Sequence, residues 1–337
     1  MNFELDEDTI LLRDSVRELG KQKADAVAGW ESARALPEHW LSELEQMGLL
    51  AMRVPEADGG AGLSTLAALA VLQELGAFCA STAVTVAVHN LLGLGLGATG
   101  EEPIGLVRGV EATASSDGFV VHGVDRSAVG ATRASRLAVV ATVQGSPTPI
   151  LVSRTQQVAG TRSRTLGLRA ADIGSVGLDG VPAVALPGDL GTAQTDLRLA
   201  FGFIAAGVGR AALAQGIGYA RERQQFGKPI AKFQAIQWKL ADLATGLDAA
   251  ELMLGSAANR ADEGRPAAAA RATLAAVQAV SIGCSEMLQI HGGYGYTEEY
   301  AVERLYRDAK ALALYAGVRS DARTTVAEGI LARFAAG

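Results

Sequence analysis

Ile236, Leu240, Leu243, Leu247, Ala250 and Leu254 recur at alternating steps of four and three residues, and Leu274, Val277, Ser281, Cys284 and Leu288 repeat the rhythm. At 3.6 residues per turn such positions fall on one narrow stripe of a helix. The two stripes are separated by Glu263-Gly264-Arg265-Pro266, a connection that continues neither helix. Two long helices, each with an apolar stripe to bury, fit an antiparallel bundle. The rest of the chain has to be arranged around that bundle.

Residues 1 to about 105 also read as helical. Ile10, Leu11, Val16 and Leu19 mark the buried face of a first helix. Pro37 opens a second, with Trp40, Leu41, Leu44 and Met47 on one side and Gly48 as its stop. Residues 54–62 form a loop by their Gly and Pro content, and 65–75 return to helix. From about 106 to 190 the character changes. Short Val-rich runs at 118–121, 137–143 and 149–152, with a turn at Gly145-Ser146-Pro147, predict strands of a small antiparallel β unit. From 191 to 337 the chain is helical again.

Length and charge narrow the function. A chain of 337 residues can bury a large core in two or three units. The net charge of −6, with basic residues dispersed, argues against a nucleic-acid partner. Cys79 and Cys284 sit in apolar helical patterns, so no disulfide is expected and a reducing compartment is the default. The acidic residues 2–8 make neither a signal nor a transit peptide. No uninterrupted apolar run reaches spanning length, the stretch 67–75 being broken by Gln73 and Glu74. A soluble, cytoplasmic protein without a membrane partner is expected. His39, His89 and His122 read as packing or capping residues, and no metal site is expected.

The chemistry-bearing stretch is 221–315. It opens with Arg221-Glu222-Arg223-Gln224-Gln225-Phe226-Gly227-Lys228-Pro229-Ile230 and Phe233-Gln234-Ala235-Ile236-Gln237. It closes with Gln289-Ile290-His291-Gly292-Gly293-Tyr294-Gly295-Tyr296 and Arg307-Asp308-Ala309-Lys310. Phe226-Gly227 followed by Pro229 reads as a helix stop, which places Arg223 in the last helical turn. A guanidinium there either complements the helix dipole or clasps a phosphate in a two-pronged way. Gly292-Gly293, after another helix, lets a backbone approach a ligand closely.

In this order the motifs resemble the C-terminal helical domain of the acyl-CoA dehydrogenases, FAD-dependent oxidoreductases that desaturate the Cα–Cβ bond of acyl-CoA thioesters. Gly48-Leu49-Leu50, Val54-Pro55-Glu56 and Gly59-Gly60-Ala61-Gly62 resemble the N-terminal domain of the same family. Leu166-Gly167-Leu168-Arg169-Ala170 and Gly180-Val181-Pro182 resemble the end of its middle β domain. The resemblance covers essentially the whole chain. It implies a mainly α protein with a central antiparallel β domain: an N-terminal helical domain (1–105), a truncated β middle domain (106–190) and a C-terminal helical bundle (191–337).

The resemblance also implies which half of the site is kept. In the family the adenosine and pyrophosphate half of each FAD reaches across a subunit interface. The matching positions are Arg223, Phe226, Gly227, Gln234, Gln289, Gly292 and Gly293. The catalytic base is a Glu after the Arg-Asp-Ala segment or, in other members, on the first helix of the C-terminal domain. Here those positions hold Ala316 and Leu197, and a cofactor-contacting Thr is replaced by Val318. Asp196 is a weak candidate base one residue from the second position, where a step of one turns a helical side chain by about 100°; otherwise it is an acid near a helix start. Arg198 matches an Arg near the family's active site, or serves as an ion-pair partner. The segment that binds the flavin ring and thioester has no counterpart between Gly100 and Ala114, and Ser127-Ala128-Val129-Gly130-Ala131 replaces the run that walls the ring.

Three functions are therefore in competition. The first is a subunit of a heteromeric acyl-CoA dehydrogenase that shares FAD with a longer partner, as in heterotetramers of steroid degradation and lipid metabolism in actinobacteria, with acyl-CoA as substrate and an electron-transfer flavoprotein as acceptor. The second is a homo-oligomeric enzyme with an unrecognised base. The third is a flavin-free scaffold or acyl-binding protein.

Overall fold

The computed structural model of the chain describes residues 5–98, 102–317 and 321–335. Helices come first: α1 (Glu7–Ala33), α2 (Glu38–Gln46), α3 (Thr65–Phe78) and α4 (Ala80–Ala87), the last extended by a π turn, Val88–Gly93. Six strands follow, β1 (Gly105–Ser115), β2 (Gly118–Val129), β3 (Arg136–Val143), β4 (Ser146–Ser153), β5 (Val158–Arg162) and β6 (Ile173–Ala185). Then come α5 (Leu190–Glu222), a short hairpin of β7 (Gln224–Gln225) and β8 (Lys228–Pro229), α6 (Gln234–Ala258), α7 (Arg265–Ile290), α8 (Val302–Tyr315) and α9 (Asp321–Ala335). The chain divides into two compact units, one of residues 25–68 and 81–197, the other of 1–24, 69–80 and 198–337.

The first unit is built on the sheet. The strand order is β2-β1-β3-β4-β6-β5, and β2 also pairs with β6, so the sheet closes on itself. Closure leaves fewer edges open to unwanted pairing. The expected runs lie inside β2, β3 and β4. All pairings are antiparallel except β1 with β3, which run parallel with Leu106 opposite Ala138. The closed sheet is filled by Val107, Val121, Leu137, Val139, Ile150 and Val176, all fully buried.

Buried polar groups in this unit are tied locally, as burial demands. Trp40 packs on Trp30 at 4.9 Å between ring centroids and donates its indole N–H to Thr82 Oγ1 at 2.9 Å. Asn90, inside the π turn, accepts from the Met52 N–H and donates to the carbonyls of Leu49 and Val86. His89 Nδ1 accepts the Ile104 N–H at 3.1 Å. Burial pushes the His89 imidazole down to about 4, so it is a neutral packing residue, as expected. His122 Nδ1 accepts from the Gly180 N–H across the exposed side of the β2–β6 pair, whereas His39 is exposed and packs against no core.

The second unit is helical. Leu243, Leu247, Ala250 and Leu254 are buried on α6, while Ile236 and Leu240 are half-buried. On α7 the buried stripe is not the expected one. Val277 and Cys284 lie on it, but Leu274, Ser281 and Leu288 are half-buried, and small residues such as Ala269, Ala276 and Gly283 face inward. Small side chains let the helices approach, and a Cβ on Gly283 would sit 2.2 Å from Leu243 Cδ1. α3 and α5 meet more closely still: a Cβ on Gly207 would lie 2.0 Å from the Gln73 carbonyl oxygen.

One further expectation needs correction. Ile10 and Leu11 are 46% and 64% exposed, and α1 instead buries Thr9, Val16 and Val27. Two helices, Leu190–Glu222 and Arg265–Ile290, are long and apolar enough to cross a membrane by length and composition alone. Each apolar stretch is interrupted by charged or polar residues, as α5 is by Arg198 and Arg210, so no uninterrupted run reaches spanning length. In α5, 78% of the most apolar window is buried inside the protein, the behaviour of a core helix. Cys79 and Cys284 are both buried and form no disulfide.

Candidate functional site

α5 stops at Glu222, and Arg223 is the first residue beyond it rather than part of its last turn. The Arg223 N–H still donates to the Tyr219 carbonyl at 2.9 Å, and its own carbonyl accepts from the Ile230 N–H at 2.8 Å. Between those bonds runs the hairpin, with Gln224 opposite Pro229 and Gln225 opposite Lys228. Phe226 (φ +52°) and Gly227 (φ +77°) are its two loop residues. Positive φ at both is what a type I′ hairpin turn requires. The Phe-Gly pair is therefore a hairpin tip and not a helix stop; glycine and proline punctuate both, so the sequence signal is shared. The Phe226 ring is 91% exposed and stands edge-on to Phe233.

α7 ends at Ile290 with His291 as its cap, and the chain continues as a tight turn, Gly292–Tyr296. Gly292 takes φ +58°, a left-handed conformation that glycine adopts without strain. A Cβ on Gly292 or Gly293 would meet nothing within 4 Å. No protein atom forbids a side chain at Gly293; the turn simply faces open space. The two corners frame a cleft of about 490 Å³ lined by Tyr219, Arg223, Gln225, Ile230, Ile290, His291, Gly292, Gly293, Tyr294 and Thr297.

Of the positions expected to act together, Arg223, Gly292 and Gly293 line this cleft. Phe226, Gly227, Gln234 and Gln289 are exposed and do not. Tyr219, Gln225, His291 and Tyr294 were not anticipated. Tyr219 had a signal, since it lies four residues before Arg223, one helical turn away in the sequence. Its ring stacks on His291 at 4.4 Å, and Tyr300 stands edge-on to His291 at 5.2 Å. His291 Nδ1 lies 2.8 Å from the Met287 carbonyl, so Nδ1 carries the proton and donates. Burial lowers the His291 pKa. Its ring is therefore neutral near pH 7.

The positions expected to lack a base are packed with hydrocarbon. Ala316 caps α8 and is buried, and Leu197 is buried on α5. Val318 lies outside the described residues. Asp196 is 1% exposed and accepts a 2.7 Å bond from Arg53 Nη1. It sits past the first turn of α5, so it is a buried ion-pair carboxylate and not the helix-start acid expected. The Arg198 carbonyl accepts from Thr273 Oγ1.

The run 127–131 is also turned inward. Ser127 donates its N–H and Oγ–H to Asp125 Oδ1, Ala128 and Ala131 are buried in the sheet core, and the N–H groups of Gly130 and Ala131 donate to the Asp172 carbonyl. A second cleft, of about 430 Å³, lies within the sheet unit. Its walls include Leu36, Leu41, Leu50 and Ile104, with Glu38, Glu45 and Glu102 among its lining residues. Arg133 at its edge is held by the Leu36 carbonyl and Glu38.

Two family models match the chain: acyl-CoA dehydrogenase, N-terminal domain, over residues 6–103, and acyl-CoA dehydrogenase, C-terminal domain, over residues 192–331. The mitochondrial short-chain specific acyl-CoA dehydrogenase of Bos taurus is 31% identical, over 98% of this chain and 92% of that protein. The probable acyl-CoA dehydrogenase YngJ of Bacillus subtilis is 30% identical, over 98% of this chain and all of that protein. That alignment runs over 379 positions against 337 residues here, so this chain is the shorter by a substantial segment. Among solved structures, butyryl-CoA dehydrogenase from Megasphaera elsdenii superposes with a TM-score of 0.89 over 98% of this chain and 100% of that one, at 23% identity. The Tcur3481-Tcur3483 steroid ACAD gives 0.84 over 98% and 99%, at 25% identity.

Proposed function

The chain belongs to the acyl-CoA dehydrogenase family, and from that premise we propose that it is a subunit of an FAD-dependent acyl-CoA dehydrogenase which lends its Arg223 cleft to a flavin shared with a longer partner subunit. One observation carries the reading. Arg223 and the Gly292-Gly293 turn border one open cleft, while Ala316 and Leu197 are buried hydrocarbon.

The residues fit one half of FAD. A pyrophosphate needs a guanidinium and close backbone approach, and the Arg223 cleft offers both. The ring half finds no such provision. The backbone donors of Gly130 and Ala131 are taken by Asp172, and Ser127 is taken by Asp125. Bound FAD supplies the acceptor for the β-hydrogen of the acyl chain, which leaves as hydride. The α-proton needs a positioned base. Neither Ala316 nor Leu197 can accept it, so the base belongs to the partner. The roles of this chain are to hold the diphosphate, through Arg223, and to shape the turn that approaches it. The likeness to the Tcur3481-Tcur3483 steroid ACAD supports a second subunit and a steroid-derived acyl-CoA substrate; an electron-transfer flavoprotein as acceptor and a cytoplasmic setting belong to the same proposal.

A homo-oligomer with an unrecognised base is disfavoured by the Arg53–Asp196 pair, since the candidate carboxylate is buried and held by a guanidinium. The test is turnover by the isolated chain. Pure protein supplied with FAD and acyl-CoA should reduce no electron acceptor, and the mixed complex should hold one FAD per unequal pair. Robust turnover by the isolated chain, abolished in Asp196→Asn, would overturn the reading. A mixed complex that holds no flavin would make the chain a scaffold.

A further inference from the structure

The cleft of the sheet unit, about 430 Å³, shares no lining residue with the Arg223 cleft. Its floor is hydrocarbon. Leu50 and Ile104 are buried, and Leu41 and Pro103 are half-buried beside them. Its rim is acidic, since Glu38, Glu45 and Glu102 line it and all three are exposed. Arg133, the one cation among the described lining residues, is spent on the Leu36 carbonyl and Glu38. Asp172 is spent too, on Thr132 and the Arg133 N–H. Glu45 and Glu102 have no hydrogen-bond or ion-pair partner among the described residues. Residues 102–104 also fall between Gly100 and Ala114, where the resemblance leaves a segment without counterpart. The alignment to YngJ, 379 positions against 337 residues, carries a shortfall in length. A chain with fewer residues at this point has less to lay over these walls.

Floor and rim together select the occupant. A metal ion does not suit them, because among the described residues no three acidic, His or Cys side chains converge to hold one. An anion is repelled by the rim. A lysine or arginine side chain meets both parts, since its stem lies along hydrocarbon while its charged head reaches the carboxylates. As a free small molecule such a cation would give up its translational freedom for few contacts. Presented on a protein that is already docked, it does not.

We propose that this cleft is a docking site for a basic side chain, lysine or arginine, presented by the longer partner subunit, with its head paired to Glu45 or Glu102 and its stem against Leu41, Leu50 and Ile104. The inference rests on the shared-flavin reading for the partner, and adds a contact that the flavin does not make.

The experiment uses the full chain and its longer dehydrogenase partner, with affinity measured by calorimetry at low and at high salt. Glu45→Gln/Glu102→Gln is compared with Glu111→Gln/Asp117→Asn, which removes equal charge from exposed positions that do not line the cleft. The first double variant is expected to weaken association roughly tenfold at low salt and to reduce its salt dependence, and the second to change it less than about twofold. A benzophenone maleimide on Ser42→Cys at the cleft, selective because Cys79 and Cys284 are buried, should cross-link to a partner segment that contains lysine or arginine. Unchanged affinity, equal weakening by the two double variants, or cross-links that land on a second copy of this chain and not on the partner overturn this inference alone, provided Arg223→Ala still lowers the flavin content of the complex. Failure of the two chains to associate at all overturns it together with the shared-flavin reading.

Discussion

Around Arg223 the chain leaves space open, and around Ala316 and Leu197 it closes space with hydrocarbon. The open side spends a guanidinium and two glycines on a cleft that no described part of the chain fills. The packed side buries a methyl group and an isobutyl group at the two positions where the resemblance places the family's base. On the proposed reading, a fold kept over nearly the whole chain length keeps one half of a site and loses the other. Fold likeness does not decide between them, because function resides in the site. The two clefts teach the same lesson. They are of similar volume, yet one is framed by Arg223 and backbone, and the other has Glu38, Glu45 and Glu102 among its lining residues. The donor set distinguishes them, and size does not.

The largest expected effect probes the packed side. Asp196→Ala removes one partner of a buried ion pair and should destabilise the chain by about 3 kcal/mol in denaturant unfolding. Flavin content of the mixed complex should be unchanged wherever the variant is folded. A variant of full stability would show that Asp196 is not structural, and it would return to contention as a base. The comparison sharpens next with pH. His89 is held neutral, with its pKa lowered by burial from 6.5 to about 4. The unfolded chain therefore binds this proton more readily than the folded one. Its contribution is fully present above about pH 6.5 and is lost as pH falls toward 4, amounting to about 3 kcal/mol at most. Thermal melts should show this loss over that window, and His89→Phe should flatten it. An unchanged slope in that variant would mean that other groups govern the acid response.

Much of the fold was legible in the sequence because large side chains at helical spacing mark their own burial. Leu243, Leu247 and Leu254 on α6, and Trp40 and Leu44 on α2, sit where their periodicity puts them. α7 was harder to read. Its buried face includes Ala269, Ala276 and Gly283 beside Val277 and Cys284, and small residues bury against neighbours without standing out from the alanines elsewhere on the helix. The parallel pairing of β1 and β3 is set by chain topology, which alternation within a strand does not encode. Arg223 and the Gly292-Gly293 turn were legible as motifs. The hairpin that positions Arg223 was not, because Phe226-Gly227 and Pro229 are equally good signals for a helix end. His291 passed unnoticed inside a glycine motif. Its stack on Tyr219 exists only once the turn is folded.

The shared-site account stands or falls on Arg223. A guanidinium that holds a diphosphate makes charge-assisted bonds of roughly 1.5–3 kcal/mol each, whereas an exposed structural ion pair contributes about 0–1 kcal/mol. The decisive measurement is FAD per complex after gel filtration of Arg223→Ala purified with its longer dehydrogenase partner, with circular dichroism as the folding control. The account predicts flavin affinity lower by about ten- to a hundredfold with both chains folded and associated. An intact complex that retains its full complement of flavin would contradict it.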